Sequence, residues 1–463
     1  MRRLRATGIL ALIVATTATV GAEEITQPVP DLRTRKDGTD WPGFLGPAGD
    51  SKSPERGIFT TWPAAGPPLV WQRTLGEGYG MPSVSRGRLF QFDRINDEAR
   101  LVCLQSQTGR LLWDFTYPTN YEDHFGYNNG PRCCPLIDDE RVYIYGAEGM
   151  LHCLNVSDGR LIWKVDTVAQ FGVVQNFFGV GSVPVVEDDL LIVQVGGSPA
   201  ESRRAAPGDL REIKGNGTAV VAFEKRTGKV RYRTGDELAS YASPKLVTIG
   251  NRRWCFLFAR GGLLAFNPAD GKVDFHYPWR ARIHESVNAS NPVVVGNEVF
   301  ISETYGPGSS LLSVDDQGPT VVWHDDPARR KKAMQTHWNT PICIDGHLYG
   351  SSGRHTNTAE LRCIQWKTGK VTWSEPDLER SSLLFVDGHL ICLSEYGTLR
   401  LIKPNPNRYE EVAVTTMIDQ EDADNRPLLR YPAWAAPILS HGLLYVRGRD
   451  KLVCLELIPQ PDR

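Results

Sequence analysis

The feature that most limits what this 463-residue chain can become is a unit of about 50 residues that recurs along most of it, a period matching four-stranded propeller blades. Cys133–Trp163 shows the unit whole, as CCPLIDDERVYIYGAEGMLHCLNVSDGRLIW. Short runs of β-forming residues alternate there with turn residues (Asp138-Asp139, a Gly-rich bend, Asp158-Gly159), as in consecutive antiparallel strands. Aligned on the residue that opens each first strand, the units start at Pro82, Pro135, Pro184, Pro244, Pro292, Pro341, Leu383 and Pro437. Turns between third and fourth strands fall at Thr108-Gly109, Asp158-Gly159, Thr227-Gly228, Asp270-Gly271, Gln317-Gly318 and Thr368-Gly369. The fourth strands then carry Trp113, Trp163, Tyr232, Phe275, Trp323 and Trp373, rings suited to wedge between neighbouring sheets. The last unit, Pro437–Leu457, stops after three strands, whereas Leu69–Thr74 with Trp71 is a strand with no unit before it. Joining the two closes a ring and removes its open edges. The expected fold class is all-β: an eight-bladed β-propeller of four-stranded antiparallel blades, with the N-terminal strand closing the last blade.

Three segments follow. Residues 1–22 read as a signal peptide, with Arg2, Arg3 and Arg5 ahead of apolar Gly8–Val20 and a small-residue site at Val20-Gly21-Ala22. Export to the periplasm or secretion is expected, by either the general or the twin-arginine route, and the apolar run is too short for a membrane span. Residues 23–66 form an N-terminal extension, of which Glu23–Asp40 is polar and expected to be loosely ordered, and residues 67–463 are one propeller. Removing the leader takes away three arginines and no acid, shifting the formal net charge from −2 to −5. That balance offers no electrostatic case for nucleic acid or an anionic membrane surface. Of nine cysteines, Cys103, Cys153, Cys363 and Cys454 share one repeat position, held elsewhere by Ala222, Ala265 and Ser313. Such a small-residue position on a packed strand implies buried thiols rather than disulfides. Cys255, Cys343 and Cys392 also sit in strand patterns, and Cys133-Cys134 stands apart.

Loop lengths separate the two faces of the ring. Turns from first to second and from third to fourth strands are uniformly tight, whereas Pro118–Arg132, Val165–Gly181, Gly196–Gly217, Asp326–Trp338 and Asp419–Trp434 all fall on the opposite face. Long loops on a rigid scaffold are where binding residues collect. Just ahead of first strands, hence around the mouth on that face, stand Tyr79, Arg132, Tyr241, Asn291, His337, Trp338, Arg380 and Trp434. These suit a ligand pocket or a protein- or glycan-binding rim equally. No catalytic or metal-ligating residue is identified by spacing. Glu122-Asp123-His124 and Arg329-Arg330-Lys331-Lys332 are expected to be solvated loop charge, and Lys367-Thr368-Gly369 is the repeat turn.

The blade pattern, as in LHCLNVSDGRLIW and LRCIQWKTGKVTW, resembles the pyrroloquinoline-quinone-type (PQQ) repeat of bacterial quinoprotein dehydrogenases and their non-enzymatic relatives. Trp41-Pro42-Gly43-Phe44-Leu45-Gly46-Pro47 and the Trp62-Pro63 to Pro67-Pro68 run resemble exported planctomycete-type propellers. The resemblance to the enzymes implies PQQ with calcium, a vicinal Cys133–Cys134 disulfide over the cofactor, Trp338 or Trp434 stacked on it, and Arg132 and Arg380 on its carboxylates. The plainer reading of Cys133-Cys134 is two small residues leading into a strand. The chain also resembles the propeller subunit of the outer-membrane β-barrel assembly machinery, which implies a scaffold. The expectation is an exported binding or scaffold module whose protein or small-molecule partner sits on the long-loop face. The alternative is a PQQ- and calcium-dependent alcohol or sugar dehydrogenase. There is no Cys-x-x-Cys-His, hence no attached c-type haem.

Overall fold

A computed structural model describes residues 28–460 except 421 and 423, so the signal-peptide expectation for residues 1–22 lies outside the described residues. Eight antiparallel sheets follow one another along the chain, seven of four strands and one of five. The first blade runs Ser83–Ser85, Arg88–Ile95, Glu98–Gln105 and Leu111–Pro118, paired in that order. Seven of the first strands begin one residue after the proline that opens the repeat, at Ser83, Leu136, Val185, Lys245, Val293, Ile342 and Ile438. Proline cannot donate to a ladder, so pairing starts with the next residue. In the seventh blade, which has Leu383 at that place, the strand reaches back to Ser381. Leu69–Thr74 pairs with Lys451–Glu456, so the N-terminal strand closes the last blade as expected.

Packing explains why the repeat couples a turn glycine to an aromatic. Trp113 Nε1 donates to the Val156 carbonyl (3.1 Å), and Trp163 Nε1 to that of Lys225 (3.1 Å). Trp71, Trp323 and Trp373 do the same to Ser106, Trp366 and Asn405, and the Tyr232 hydroxyl reaches Pro268 (2.7 Å). Each acceptor sits in the third-to-fourth turn of the next blade. In five of these six turns a glycine lies flat on the ring: a Cβ on Gly159 would stand 2.5 Å from Trp113, and φ there is +74°. Both the space and the left-handed backbone therefore demand glycine. The fifth blade departs from the pattern. Phe275, its neighbour's aromatic, has no donor, Gly318 meets nothing within 4 Å, and Trp323 pairs with Leu311 rather than the expected Ser313.

Chain preceding the propeller closes one end of the axial channel. The free edges of innermost strands carry unpaired amides and carbonyls, and residues 41–53 satisfy several in turn. Trp41 exchanges bonds with Val84 (2.9 and 2.8 Å) in the first blade, and the Pro42 carbonyl accepts from Ile137 N (2.8 Å) in the second. Lys245 Nζ of the fourth blade reaches the Gly49 carbonyl (2.8 Å), and Lys52–Ser53 adds a parallel strand to Phe385–Val386 of the seventh. Buried Glu55 then takes the amides of Thr39 (2.9 Å), His441 (2.9 Å) and Gly442 (2.7 Å). The segment thus crosses the axis on the tight-turn face. Residues 28–40 are pinned as well, contrary to the loose order expected: Leu32 N bonds the Arg86 carbonyl (3.1 Å) and Arg35 ion-pairs with Glu456. Among the described residues no helix is long and apolar enough to cross a membrane.

Candidate functional site

At the other end of the channel the long loops surround a cavity of about 410 Å³, floored by Phe44, Leu45 and Ser51 of the crossing segment. It is a blind pocket opening on the long-loop face. Its walls include Tyr79, Arg132, Cys134, Tyr241, His337, Trp338, Arg380 and Trp434 of the residues expected at the mouth, but not Cys133 or Asn291. Trp434 is the hub. Its ring centroid lies 4.8 Å from Tyr79, 4.9 Å from Trp338, 6.0 Å from Tyr431 and 6.1 Å from Tyr127. On the facing wall Phe178 packs against Tyr241 (5.5 Å), whose hydroxyl accepts from the Phe178 amide (2.8 Å). Aromatic rings of this kind offer large contact area with little rotamer freedom to lose.

Two buried ion pairs set the charge. Arg380 Nε donates to both oxygens of Glu395 (2.9 and 3.0 Å), and Trp434 Nε1 donates to the same carboxylate (3.0 Å). The guanidinium of Arg380 also covers Trp338 at 4.6 Å, a cation–π contact. Burial works to raise the Glu395 pKa, but the hydrogen bonds from Arg380 and Trp434 outweigh it and hold the carboxyl below its ordinary range. Arg132 pairs with Asp123, whose Oδ1 also accepts from the amides of Phe125 (3.0 Å) and Tyr127 (3.2 Å). Asp123 is therefore a buried anchor of its loop, not the solvated charge expected. Lys332 likewise is buried, donating to the Asp326 carbonyl (2.6 Å), while Arg329, Arg330 and Lys331 are exposed. Arg354 is exposed and lies over Tyr305 at 4.5 Å with no ion pair among the described residues.

The His337 ring makes one bond among the described residues, between Nε2 and the Tyr305 hydroxyl (3.0 Å). Burial and then the charges of Arg380 and Arg354 push its pKa down to about 3, so the ring is neutral. Its Nδ1 and the Trp338 Nε1 are buried with no partner among the described residues. Each orphaned buried polar atom carries a desolvation cost, and these two sit on adjacent residues of the pocket wall.

Two candidates fall elsewhere. Asn291 is a strut between blades: its Oδ1 accepts from Ser243 N (2.8 Å) and its amide donates to Thr340 Oγ1 (3.1 Å). Cys133 turns away from the pocket, its thiol against the Ser182 carbonyl (3.2 Å). All nine cysteines are buried free thiols, so Cys133 and Cys134 form no disulfide. Burial pushes the Cys134 thiol up to about 12 and raises the Cys133 thiol as well. Sequence reasoning missed Asp123, Glu395, Phe178, Tyr305 and Arg354. Glu395 and Arg354 follow second strands, at turns on the same face, which is the signal that was available for them.

The residues present do not fit a quinone held with calcium. Calcium takes roughly six to eight oxygen ligands, yet the buried carboxylates of Asp123 and Glu395 are already occupied by arginines and amides. No group of three His, Cys, Asp or Glu able to hold a metal ion exists among the described residues. Arg132 and Arg380, expected to bind quinone carboxylates, are the same two neutralised guanidiniums.

Residues 119–375 match the family model described as outer membrane protein assembly factor BamB. A curated protein of that description from Shewanella oneidensis is 24% identical over 413 residues, covering 85% of this chain and 89% of the relative. Among solved structures, BamB from Moraxella catarrhalis superposes with a TM-score of 0.56 at 11% identity, over 85% of this chain and 99% of that one. Quinohemoprotein alcohol dehydrogenase from Comamonas testosteroni gives 0.60 at 11% identity, over 92% and 81%. Likeness this distant shows the shared propeller fold alone.

Proposed function

The chain belongs to the outer membrane protein assembly factor BamB family of PQQ-like propellers, and on that premise we propose that it is an exported binding module that holds a partner protein at the long-loop face. The axial pocket takes an apolar or aromatic element of that partner. The observation that carries this reading is the aromatic wall around Trp434, whose ring centroid has Tyr79, Trp338, Tyr431 and Tyr127 within 6.1 Å and Arg380 beside it in the same pocket. A buried aromatic cluster ringed by arginine is the composition of an interface hot spot, and a blind pocket gives a protruding side chain a place to be desolvated. Periplasmic placement is supported by the leader-like residues 1–22 and by the relative's printed role in outer-membrane assembly.

Panning a displayed peptide library on the immobilised mature protein tests the proposal. Enriched peptides should carry an aromatic or large apolar residue and bind Trp338→Ala and Trp434→Ala at least about tenfold more weakly, hot-spot truncations costing roughly 2 kcal/mol or more. Binding unchanged by both substitutions would overturn it. The dehydrogenase alternative is tested by titrating with PQQ with and without calcium while following tryptophan fluorescence. The expected result is no saturable, calcium-dependent quenching.

A further inference from the structure

A second cleft on the long-loop face, of about 520 Å³, lies between the fourth blade and the long loop of the third. Its walls carry Arg211, Lys214, Arg260 and Arg280 against two carboxylates, Asp236 and Glu237, an excess of cations in a chain whose formal net charge is −2. Glu237 neutralises neither arginine by direct pairing: its oxygens accept from Gly261 N (2.6 Å) and His276 Nε2 (2.8 Å). Arg260 is only 3% exposed. Its guanidinium lies 5.5 Å over Phe177 and donates to main-chain carbonyls alone, His284 (3.0 Å) and Ser286 (3.3 Å). Arg280 donates to the same His284 carbonyl (3.1 Å), and its Nε is buried with no partner among the described residues.

Holding two such guanidiniums on one carbonyl is unfavourable by itself. Like charges repel strongly at partly desolvated sites, and an unpaired buried cation is normally matched by an anion. Consistent with this, burial and then the neighbouring Arg280 lower the Arg260 pKa to about 10. We infer that this cleft is an anion site, in which an oxyanion carrying two negative charges (a phosphate ester or a dicarboxylate) bridges Arg260 and Arg280. Guanidinium forks match such groups bidentately, and exposed Arg211 and Lys214 on the loop side of the cleft steer them in. The site is separate from the axial pocket: Phe178 lines that pocket, while its neighbour Phe177 lies beneath Arg260.

Calorimetric titration of the mature protein with inorganic phosphate and, separately, with succinate, at constant ionic strength, tests this. Saturable binding of one of them is expected, weakened about tenfold or more in Arg280→Gln by loss of charge-assisted bonds. Phosphate binding alone assigns a phosphate ester, and succinate binding alone a dicarboxylate. Exposed Arg226→Gln, on the tight-turn face, should leave the affinity unchanged. Arg280 is partly exposed, so its variant should fold; Arg260→Lys, which keeps the charge and loses the fork, is the second arm. Neither anion binding, or equal affinity in Arg280→Gln, would overturn the inference.

Discussion

The two ends of the axial channel are built from the same innermost strands and end in opposite states. At the tight-turn end the crossing segment supplies backbone partners to the first, second, fourth and seventh blades, and Glu55 gathers three amides. At the long-loop end Arg380–Glu395 and Arg132–Asp123 are both buried, yet among the described residues no chain crosses the axis there and Trp338, His337 and Trp434 line an open pocket. One end is closed by backbone pairing across the axis and the other is left as a pocket lined by side chains, so stability and recognition fall to different residues. The closed end makes the open one a pocket instead of a tunnel.

Substitutions should divide along the same line. Trp41→Ala, at a side chain only 1% exposed, removes the largest ring of the crossing segment and should cost about 3–5 kcal/mol, measured by urea unfolding. Glu55→Ala strands three amides and should cost about 2–3 kcal/mol in the same assay. If either variant retained full stability, the crossing segment would not be the structural end.

His337 gives a pH test at the open end. Its folded pKa, about 3, lies below the ordinary 6.5, so the unfolded state binds the proton first. Its contribution is fully present above pH 6.5 and is lost as pH falls through that value towards 3. The unfolding midpoint of His337→Gln should therefore fall less steeply than wild type over that window. Trp338→Phe removes an orphaned donor; stability should change by less than about 1 kcal/mol, or rise, while affinity for selected peptides drops. The smallest effect is at the thiols. Unfolded protein should titrate nine free thiols, matching its nine free cysteines, and reductant should leave the melting temperature unchanged; a vicinal Cys133–Cys134 disulfide would lower the count by two.

Much of this was legible because it is periodic. The proline before seven of the eight first strands and the glycine beneath five of the seven aromatics repeat the same backbone constraint from blade to blade, so Pro135, Gly159 and Trp163 could be read from the shared unit. The slip at Ser313 is a register difference confined to one blade, which a pattern shared by all blades does not carry. Distance hid the rest. Glu55 and His441 are 386 residues apart, and nothing near Trp41 signals that the segment crosses an axis. Asp123 looked like loop charge because its partners, two loop amides and Arg132, are specified only by the loop's folded path. Cys133 and Asn291 were expected at the mouth from their place ahead of a first strand, which does not fix side-chain direction: one turns to Ser182 and the other to Ser243.

The most direct test of a division between a structural end and a recognising end is a hydrogen–deuterium exchange footprint of the mature protein with a selected peptide. Protection confined to residues 119–132, 326–338 and 419–434, absent in Trp434→Ala, is the predicted result. Protection over the tight turns and residues 41–58 instead, with the long loops unchanged, would contradict the account.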